Sequence, residues 1–430
     1  MRDSTGGKFM SQPVRMNTPS PTATGAVIDF GMTAQQFRDR LLEKNTHLFA
    51  GALLERNFGW PDLDHVLNVM EPIQPMLQIF KDGMVSEEVY TEPAIELGLQ
   101  HRRLNKDSFA KLMRTGATAV INRVEIASVA ARRLCLEVSR FSGHQTIGNG
   151  YFTLGGTGTF GKHWDTHDVF AIQLMGRKRW RVFAPTFPYP LSTHTSQEVQ
   201  NTAPSTPVLD CVLEAGDVLY IPRGWWHQAI PLDDASFHLS VGVYVPTMLE
   251  YALWACQRYL PAEVIGRKGL STAQLSELAK DLTSLAQAVT AAIANPSHVA
   301  EFKRSLAELQ KPPSALDLAL LLDIGTPELG DDTIVTLNHS YPLDCSANEV
   351  AVNGVAITLN EASRPIVKAL SARSSLTFAE LCEASSPVPH ERVKALVLEF
   401  ARMDVVSVAR KHPHPNPPPL RGGGDRSGAR

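Results

Sequence analysis

The apolar positions of this chain change period twice. From residue 26 to about 122 the spacing is mainly helical: "MTAQQFRDRLLEKNTHLFAGAL" reads as an amphipathic helix running into a short strand, with turns expected at Trp60-Pro61-Asp62 and Asp82-Gly83. A further helix, "IASVAARRLCLEVSRFSG", sets Val129, Leu134, Leu136 and Val138 among basic and small residues and stops at Gly143. From 145 to about 246 the texture becomes short β-branched and aromatic runs bounded by Gly and Pro: "IGNGYFTL", "DVFAIQLM", "RWRVFAP", "TPVLDCVLE", "GDVLYIP" and "FHLSVGVYV". Strands at that spacing, with no helices between them, predict an antiparallel barrel or sandwich.

Helical spacing returns over 248–323, in segments separated by Pro261, Asn295-Pro296 and Pro312-Pro313. Leu275, Leu278, Leu282, Leu285 and Val289 form a stripe that must bury against the barrel or against a second subunit. Residues 333–410 read as a small module: "EVAVNGVAITL" is a hairpin centred on Asn353-Gly354, followed by three helical segments and a terminal strand, "DVVSVA". Helices closed by such strands suggest a winged helix. That module carries seven Lys/Arg against eight Asp/Glu, so it lacks the basic face of a DNA reader, and a protein-contact or scaffold role is expected. The polar and Pro/Gly/Arg-rich ends, 1–25 and 411–430, read as a disordered leader and tail.

Composition adds limits. At 430 residues the chain exceeds a single core, so two or three domains are expected. A net charge of -3 makes no general case for a nucleic-acid or anionic-membrane partner. No apolar run is long enough to span a bilayer, and the N-terminus lacks the apolar core of a secretory signal, so no membrane association is expected. The five cysteines are scattered and never paired as C-x-x-C, which fits free thiols in a reducing cytoplasm.

The chemistry gathers in "FGKHWDTHDVFAIQLMGRKRWRVF", residues 160–183. On a strand His163 and Asp165 share a face and present an imidazole beside a carboxylate. A third ligand is available in "GDVLYIPRGWWHQAI", where a Pro222-Arg223-Gly224 break delivers Trp225, Trp226 and His227 into the next strand. Two histidines and one carboxylate suit Fe(II) oxygen chemistry and also catalytic zinc. Lys178 separates the two. In "RKRWRVF" it shares a face with Trp180 and Val182 and should point inward, while three arginines point outward. A buried ammonium requires a carboxylate partner from the protein or from a ligand. A keto-dicarboxylic cosubstrate chelating iron at one end and meeting Lys178 at the other satisfies both demands.

This ordered set resembles the Jumonji C (JmjC) oxygenases, which have the cupin fold and depend on Fe(II) and 2-oxoglutarate, and within them the ribosomal-oxygenase-like branch. The resemblance covers H-x-D, "DVFAIQLMGRKRWRV" with Lys178 fifteen residues after His163, and "GDVLYIPRGWWHQA". It implies a mainly β catalytic core over 26–247, a double-stranded β-helix with N-terminal helices, then a helical dimerisation segment over 248–323 and the winged-helix-like domain over 333–410. It also implies His163, Asp165 and His227 as iron ligands and Lys178 as the residue for the far carboxylate of 2-oxoglutarate. Asn149, Tyr151, His238 and Ser240 are further candidates for the cosubstrate pocket. The implied reaction uses O2, converts 2-oxoglutarate to succinate and hydroxylates a side chain of a protein or peptide substrate, in a homodimeric enzyme. N-methyl demethylation, a peptide-tailoring hydroxylase and a non-catalytic binding scaffold are the alternatives. His167 and Asp168 are read as substrate contacts or a solvated strand end, Trp225 and Trp226 as barrel core or substrate wall. Trp164 is expected to face away from the metal, and the Pro/Thr/Ser-rich excursion 184–207 to act as a lid. The chain departs from many relatives in having Gly161-Lys162 before the first ligand and two bulky rings beside the last.

Overall fold

The computed structural model describes residues 26–409, apart from 157, 233, 271–274, 310–313, 315, 317, 323–328, 341–342 and 374. The expected leader and tail and the Pro312-Pro313 break lie outside the described residues. The first hundred described residues hold more strand than their periodicity suggests: α1 (Ala34–Arg40), β1 (His47–Phe49), α2 (Trp60–Val69), β2 (Leu77–Phe80), β3 (Met84–Val85), α3 (Glu87–Tyr90), β4 (Thr91–Glu96), β5 (Leu99–Leu104), α4 (Lys106–Arg114) and β6 (Thr118–Ile121). Strands this short cannot display an alternation strong enough to stand out from neighbouring helical spacing, which is why a mainly helical segment was expected. Trp60-Pro61-Asp62 is likewise the first turn of α2 and not a chain reversal. Asp62 reaches back to accept the Gly59 N–H at 2.8 Å, and Pro61 sits where a helix does not use its N–H. Asp82-Gly83 is the expected turn, joining β2 to β3 with φ of 53° and 124°.

After α5 (Val124–Ala127) and α6 (Val129–Ser142), capped by Gly143 at φ 80°, the expected strands follow in order. They are β7 (Gln145–Leu154), β8 (Asp168–Met175), β9 (Lys178–Phe183), β10 (Leu209–Leu213), β11 (Val218–Ile221), β12 (Trp226–Pro231) and β13 (Ala235–Tyr244). They form an antiparallel eight-stranded sheet, β1-β11-β8-β13-β7-β6-β2-β3, and a three-stranded sheet, β10-β9-β12. The period of two divides each strand between two environments. Phe170, Ile172, Tyr220, Val241 and Val243 face the helical side, where they bury against Phe30, Phe37 and Phe141. Val169, Ala171, Leu219 and Ile221 face the other way and pack on Trp180, Val182 and Leu213 of the smaller sheet. The interior between the sheets is therefore apolar except where the sequence places polar side chains deliberately.

Beyond the core, α7 (Met248–Tyr259), α8 (Val264–Arg267), α9 (Leu275–Ala294), α10 (Pro296–Leu309) and α11 (Leu318–Leu321) follow. α9 packs on α7 and α8, leaving Leu282 51% exposed and Leu278, Leu285 and Val289 half-buried. Their apolar row is only partly covered within the chain. The C-terminal module contains β14 (Ile334–Leu337), the hairpin β15 (Glu349–Val352) and β16 (Val355–Thr358), α12 (Ser363–Arg373), β17 (Ser375–Thr377), α13 (Phe378–Ala384), α14 (His390–Arg402) and β18 (Val406–Ala409). Asn353 and Gly354, at φ 49° and 77°, make the hairpin turn, and β17-β14-β18 form a three-stranded sheet over a separate apolar core. Among the described residues no helix is long and apolar enough to cross a membrane.

The β8–β9 connection aims Lys178 inward, and it depends on one glycine. Gly176 has φ 64°, and a Cβ there would stand 2.1 Å from the Ala235 carbonyl oxygen. Gly176→Ala is therefore expected to destabilise the fold by about 2 kcal/mol or more, read as a lower denaturant midpoint with an unchanged slope.

Candidate functional site

Two backbone segments meet at the site. His163 and His227 pair as an isolated antiparallel bridge, with His163 N–H donating to His227 O at 3.1 Å and His227 N–H to His163 O at 2.7 Å. A third bond, from Gly224 N–H to Asp165 O at 3.0 Å, extends the pairing. His163 and Asp165 thus lie on a loop leading into β8, held by this bridge, and not on a regular strand as the alternation suggested. The Gly-rich approach to His163 supplies no ladder partner for a longer strand.

The ring nitrogens are oriented before any metal arrives. His163 Nδ1 lies 2.9 Å from Gly161 O and His227 Nδ1 lies 3.0 Å from Trp225 O. A carbonyl only accepts, so each Nδ1 carries the proton and each Nε2 keeps a free lone pair. Asp165 Oδ2 lies 3.5 Å from His227 Nε2, and one donor atom from each of His163, Asp165 and His227 falls within 4.8 Å of the others. At ligand distances of about 2.1 Å, adjacent donors on one metal stand roughly 3 Å apart, so the set closes on a divalent ion with small side-chain movements. Burial, helped by His163, lowers His227 to about 4. Burial raises the Asp165 carboxyl, but His227, His163 and His167 outweigh it and hold that group below its ordinary value. Near neutral pH the site thus presents a neutral His227 and an ionised Asp165.

Lys178 is 2% exposed, at the inner face of β9, whereas Arg177, Arg179 and Arg181 point out and pair with Asp234 and Asp210. Its Nζ donates to His238 Nδ1 at 3.0 Å, and no carboxylate among the described residues pairs with it. Burial lowers the ammonium to about 7 and, with Lys178 and His227 nearby, drives His238 well below its ordinary value. His238 stacks on Tyr151 at 4.8 Å, and the register pairs Tyr151 with His238 and Asn149 with Ser240. All four candidate pocket residues therefore lie on one face of two adjacent strands. Asn149 Oδ1 accepts the Arg123 N–H at 3.2 Å. Trp180, which sequence reasoning used only as a marker of the inward face, stands between the two halves, with ring centroids 6.1 Å from His227 and 5.2 Å from His238. Its Nε1 is buried without a hydrogen-bond partner.

The side chains alternating with the ligands build a wall. Trp164 and Trp226 pack on each other and on Phe183 and Phe187, and Trp226 Nε1 donates to Thr186 Oγ1 at 2.8 Å. Lys162 Nζ donates to the Pro204 carbonyl, and Gln200 Nε2 donates to Lys162 O at 3.1 Å. The segment 184–207, expected to act as a lid, is thereby fixed against the ligand-bearing loops, with a 3-10 helix at Ser196–Thr202. It forms one side of an open cleft of about 620 Å³ over His163 and Asp165, with Ser192, His194, Gln197 and Gln200 along it. Trp226 belongs to this wall, whereas Trp225 packs with the barrel interior. Trp164 is 4% exposed within the aromatic cluster, turned from the ligands as expected. His167 borders the cleft, stacked on Tyr244 at 5.0 Å. Asp168 is fully buried, so it is neither a substrate contact nor a solvated strand end: Tyr220 and the Arg223 main chain cover it.

Comparison with known proteins identifies the segment. Residues 123–251 match the family model described as the JmjC domain. The protein named bifunctional lysine-specific demethylase and histidyl-hydroxylase NO66 of Drosophila persimilis is 39% identical over 118 residues, 27% of this chain and 17% of that protein. Ribosomal oxygenase 1 of Gallus gallus is 37% identical over 140 residues, 29% of this chain and 23% of the relative. The chain thus spans less than a quarter of the length of these curated relatives. Among solved structures, YcfD, a ribosomal oxygenase from Escherichia coli, shares the fold over 89% of this chain and 99% of its own, with a TM-score of 0.53 and 18% identity. Another structure of that protein, in complex with cobalt and 2-oxoglutarate, has the same TM-score of 0.53.

If the aromatic cluster is what immobilises the wall, Trp164→Ala should free it. Limited proteolysis is expected to cut between 186 and 204 at least several-fold faster in the variant, with the rest of the digest unchanged. An unchanged rate would assign the wall's rigidity to Lys162 and Gln200 alone.

Proposed function

Within the JmjC domain of residues 123–251, we propose that His163, Asp165 and His227 hold Fe(II), that Lys178 binds the far carboxylate of 2-oxoglutarate, and that the chain is an oxygenase hydroxylating a side chain of a protein or peptide. The observation that carries this reading is the buried Lys178: an ammonium inside the same barrel as a two-histidine, one-carboxylate set, with a neutral imidazole as its hydrogen-bond partner. A buried cation without an anion is costly, and a dicarboxylic cosubstrate supplies the anion. Trp180 Nε1, also without a partner, offers a further donor in that interior. Bound Fe(II), with 2-oxoglutarate and O2, supplies the chemistry that inserts one oxygen atom into a C–H bond while 2-oxoglutarate loses CO2 and becomes succinate.

The residues of this chain prepare that chemistry. Gly161 and Trp225 carbonyls hold the two imidazoles with Nε2 free, and the apolar walls from Val182, Leu213 and Leu219 keep water out of the interior. Hydroxylation of a neutral side chain fits the cleft better than demethylation of a methylated lysine. Among the described residues Asp165 is the only carboxylate lining the cleft, and the metal claims it. Of residues 192–200, those that line the cleft offer hydroxyls, amides and the imidazole of His194, with no carboxylate among them because the exposed Glu198 is not part of the lining. The relatives' names include both activities, and a ribosomal protein is the substrate class that the second relative's name suggests. The partly covered apolar row on α9, with Leu282 exposed, supports a homodimer through the 248–323 helices, and the near-neutral 333–410 module, a winged-helix-like domain, supports contact with protein more than DNA. A cytoplasmic location agrees with the scattered free thiols.

With Fe(II) and 2-oxoglutarate, succinate should form and a protein substrate should gain one oxygen by mass, and His163→Ala should abolish both; retained turnover in His163→Ala would remove the iron assignment. Lys178→Ala should raise the 2-oxoglutarate requirement by two orders of magnitude or more while leaving metal affinity within a few-fold. Because burial holds Lys178 at about 7 and the dicarboxylate needs its charged form, binding should weaken as pH rises above 7, approaching tenfold per unit, with a proton taken up on binding. A pH-independent affinity between 6.5 and 8.5 would contradict the role.

A further inference from the structure

We propose that Asp168 is a positioning residue that holds the arm bearing His227 against the arm bearing Asp165. The two arms share the His163–His227 bridge and the Gly224 N–H to Asp165 O bond. The β11–β8 ladder holds Ile221 opposite Val169, and a side chain is left to tie the following Pro222-Arg223-Gly224 turn to the head of β8. Asp168, the first residue of β8, does so: its Oδ1 accepts the Arg223 main-chain N–H at 2.9 Å, one residue before the Gly224 contact to Asp165. Its Oδ2 accepts from the Tyr220 hydroxyl, whose oxygen in turn accepts the Glu43 N–H at 2.8 Å. Asp168 and Tyr220 are each 0% exposed.

A carboxylate in this position is expensive. Among the described residues it has no ion pair of its own, because the Arg223 guanidinium turns to Glu43 at 2.6 Å and to Pro190 O. A structural filler at the end of a buried strand would be apolar or a neutral amide, whereas an ionised carboxylate makes stronger bonds to a main-chain N–H and a phenol. The linkage is short and rigid: Asp168 to Arg223, Arg223 to Gly224, Gly224 to Asp165. The inference rests on the metal assignment for His163, Asp165 and His227, and Asp168 itself touches neither metal nor substrate.

The test is anaerobic titration of the full-length protein with Co(II), read by its visible absorption, alongside the thermal midpoint of each variant. Asp168→Asn should weaken Co(II) by tenfold or more, the range seen when groups that orient metal ligands are removed. Tyr220→Phe, a milder change that leaves Asp168 in place with one donor fewer, should weaken it several-fold and keeps the proposal testable if Asp168→Asn does not fold. Val243→Ala, in the core directly across from Asp168 in the sheet, should lower the midpoint comparably and leave Co(II) affinity unchanged. The proposal is overturned if Asp168→Asn or Tyr220→Phe binds Co(II) like the unaltered protein, or if Val243→Ala loses affinity in step with its stability. Failure of the unaltered protein to bind Co(II) would instead overturn the metal assignment beneath it.

Discussion

The site depends on one contact between main chains, the pair of hydrogen bonds joining His163 to His227. Sixty-four positions apart in sequence, the two residues bring different parts of the barrel together and carry their rings with them. Because each imidazole then donates Nδ1–H to a local carbonyl, the bridge also decides which nitrogen faces the centre. Everything else at the site either supports this junction or exploits the space it opens.

Support comes from the residues that alternate with the ligands. Lys162, Trp164 and Trp226 neighbour ligands in sequence, turn away from the centre and fasten the 184–207 segment as a wall. The same stretch therefore builds the His163–Asp165–His227 cluster and the cleft beside it, so a change on one side of the alternation is felt on the other. The opposite consequence of alternation appears at β9, where three arginines reach Asp210 and Asp234 in solvent while Lys178 is left inside with His238. The outer ion pairs are solvent-screened surface contacts of small worth, whereas the inner ammonium constrains what the pocket can bind.

Much of this was legible in the sequence because the strands from β7 to β13 alternate cleanly and are bounded by Gly and Pro. The inward direction of Lys178 follows from Trp180 and Val182 beside it, and the convergence of His227 follows from the Pro222-Arg223-Gly224 break. What was not legible has physical causes. The short strands β2, β3 and β6 carry too few residues to reveal a period of two, so the N-terminal block looked helical. The helix beginning at Trp60 reads as a turn in the sequence because Pro and Asp serve both roles, and the bond from Gly59 to Asp62 distinguishes them. Asp168 looked like a polar strand end because its partners, Tyr220 and the Arg223 main chain, lie more than fifty positions away. A buried carboxylate and a solvated one are the same letter until the fold supplies the donors. The contacts of 184–207 are hidden for a similar reason: its Pro, Thr and Ser content describes a loop, and the Trp164, Phe183 and Trp226 rings that pack on it lie outside the segment.

The central claim is that one interior holds both a metal at His163, Asp165 and His227 and a dicarboxylate reaching Lys178. Anaerobic addition of 2-oxoglutarate to the Fe(II)-loaded protein tests it most directly, because chelation by a keto acid produces a visible charge-transfer band. The account predicts that the band appears in the unaltered protein and requires far more 2-oxoglutarate in Lys178→Met. No band in the unaltered protein, or an identical titration in the variant, would contradict it.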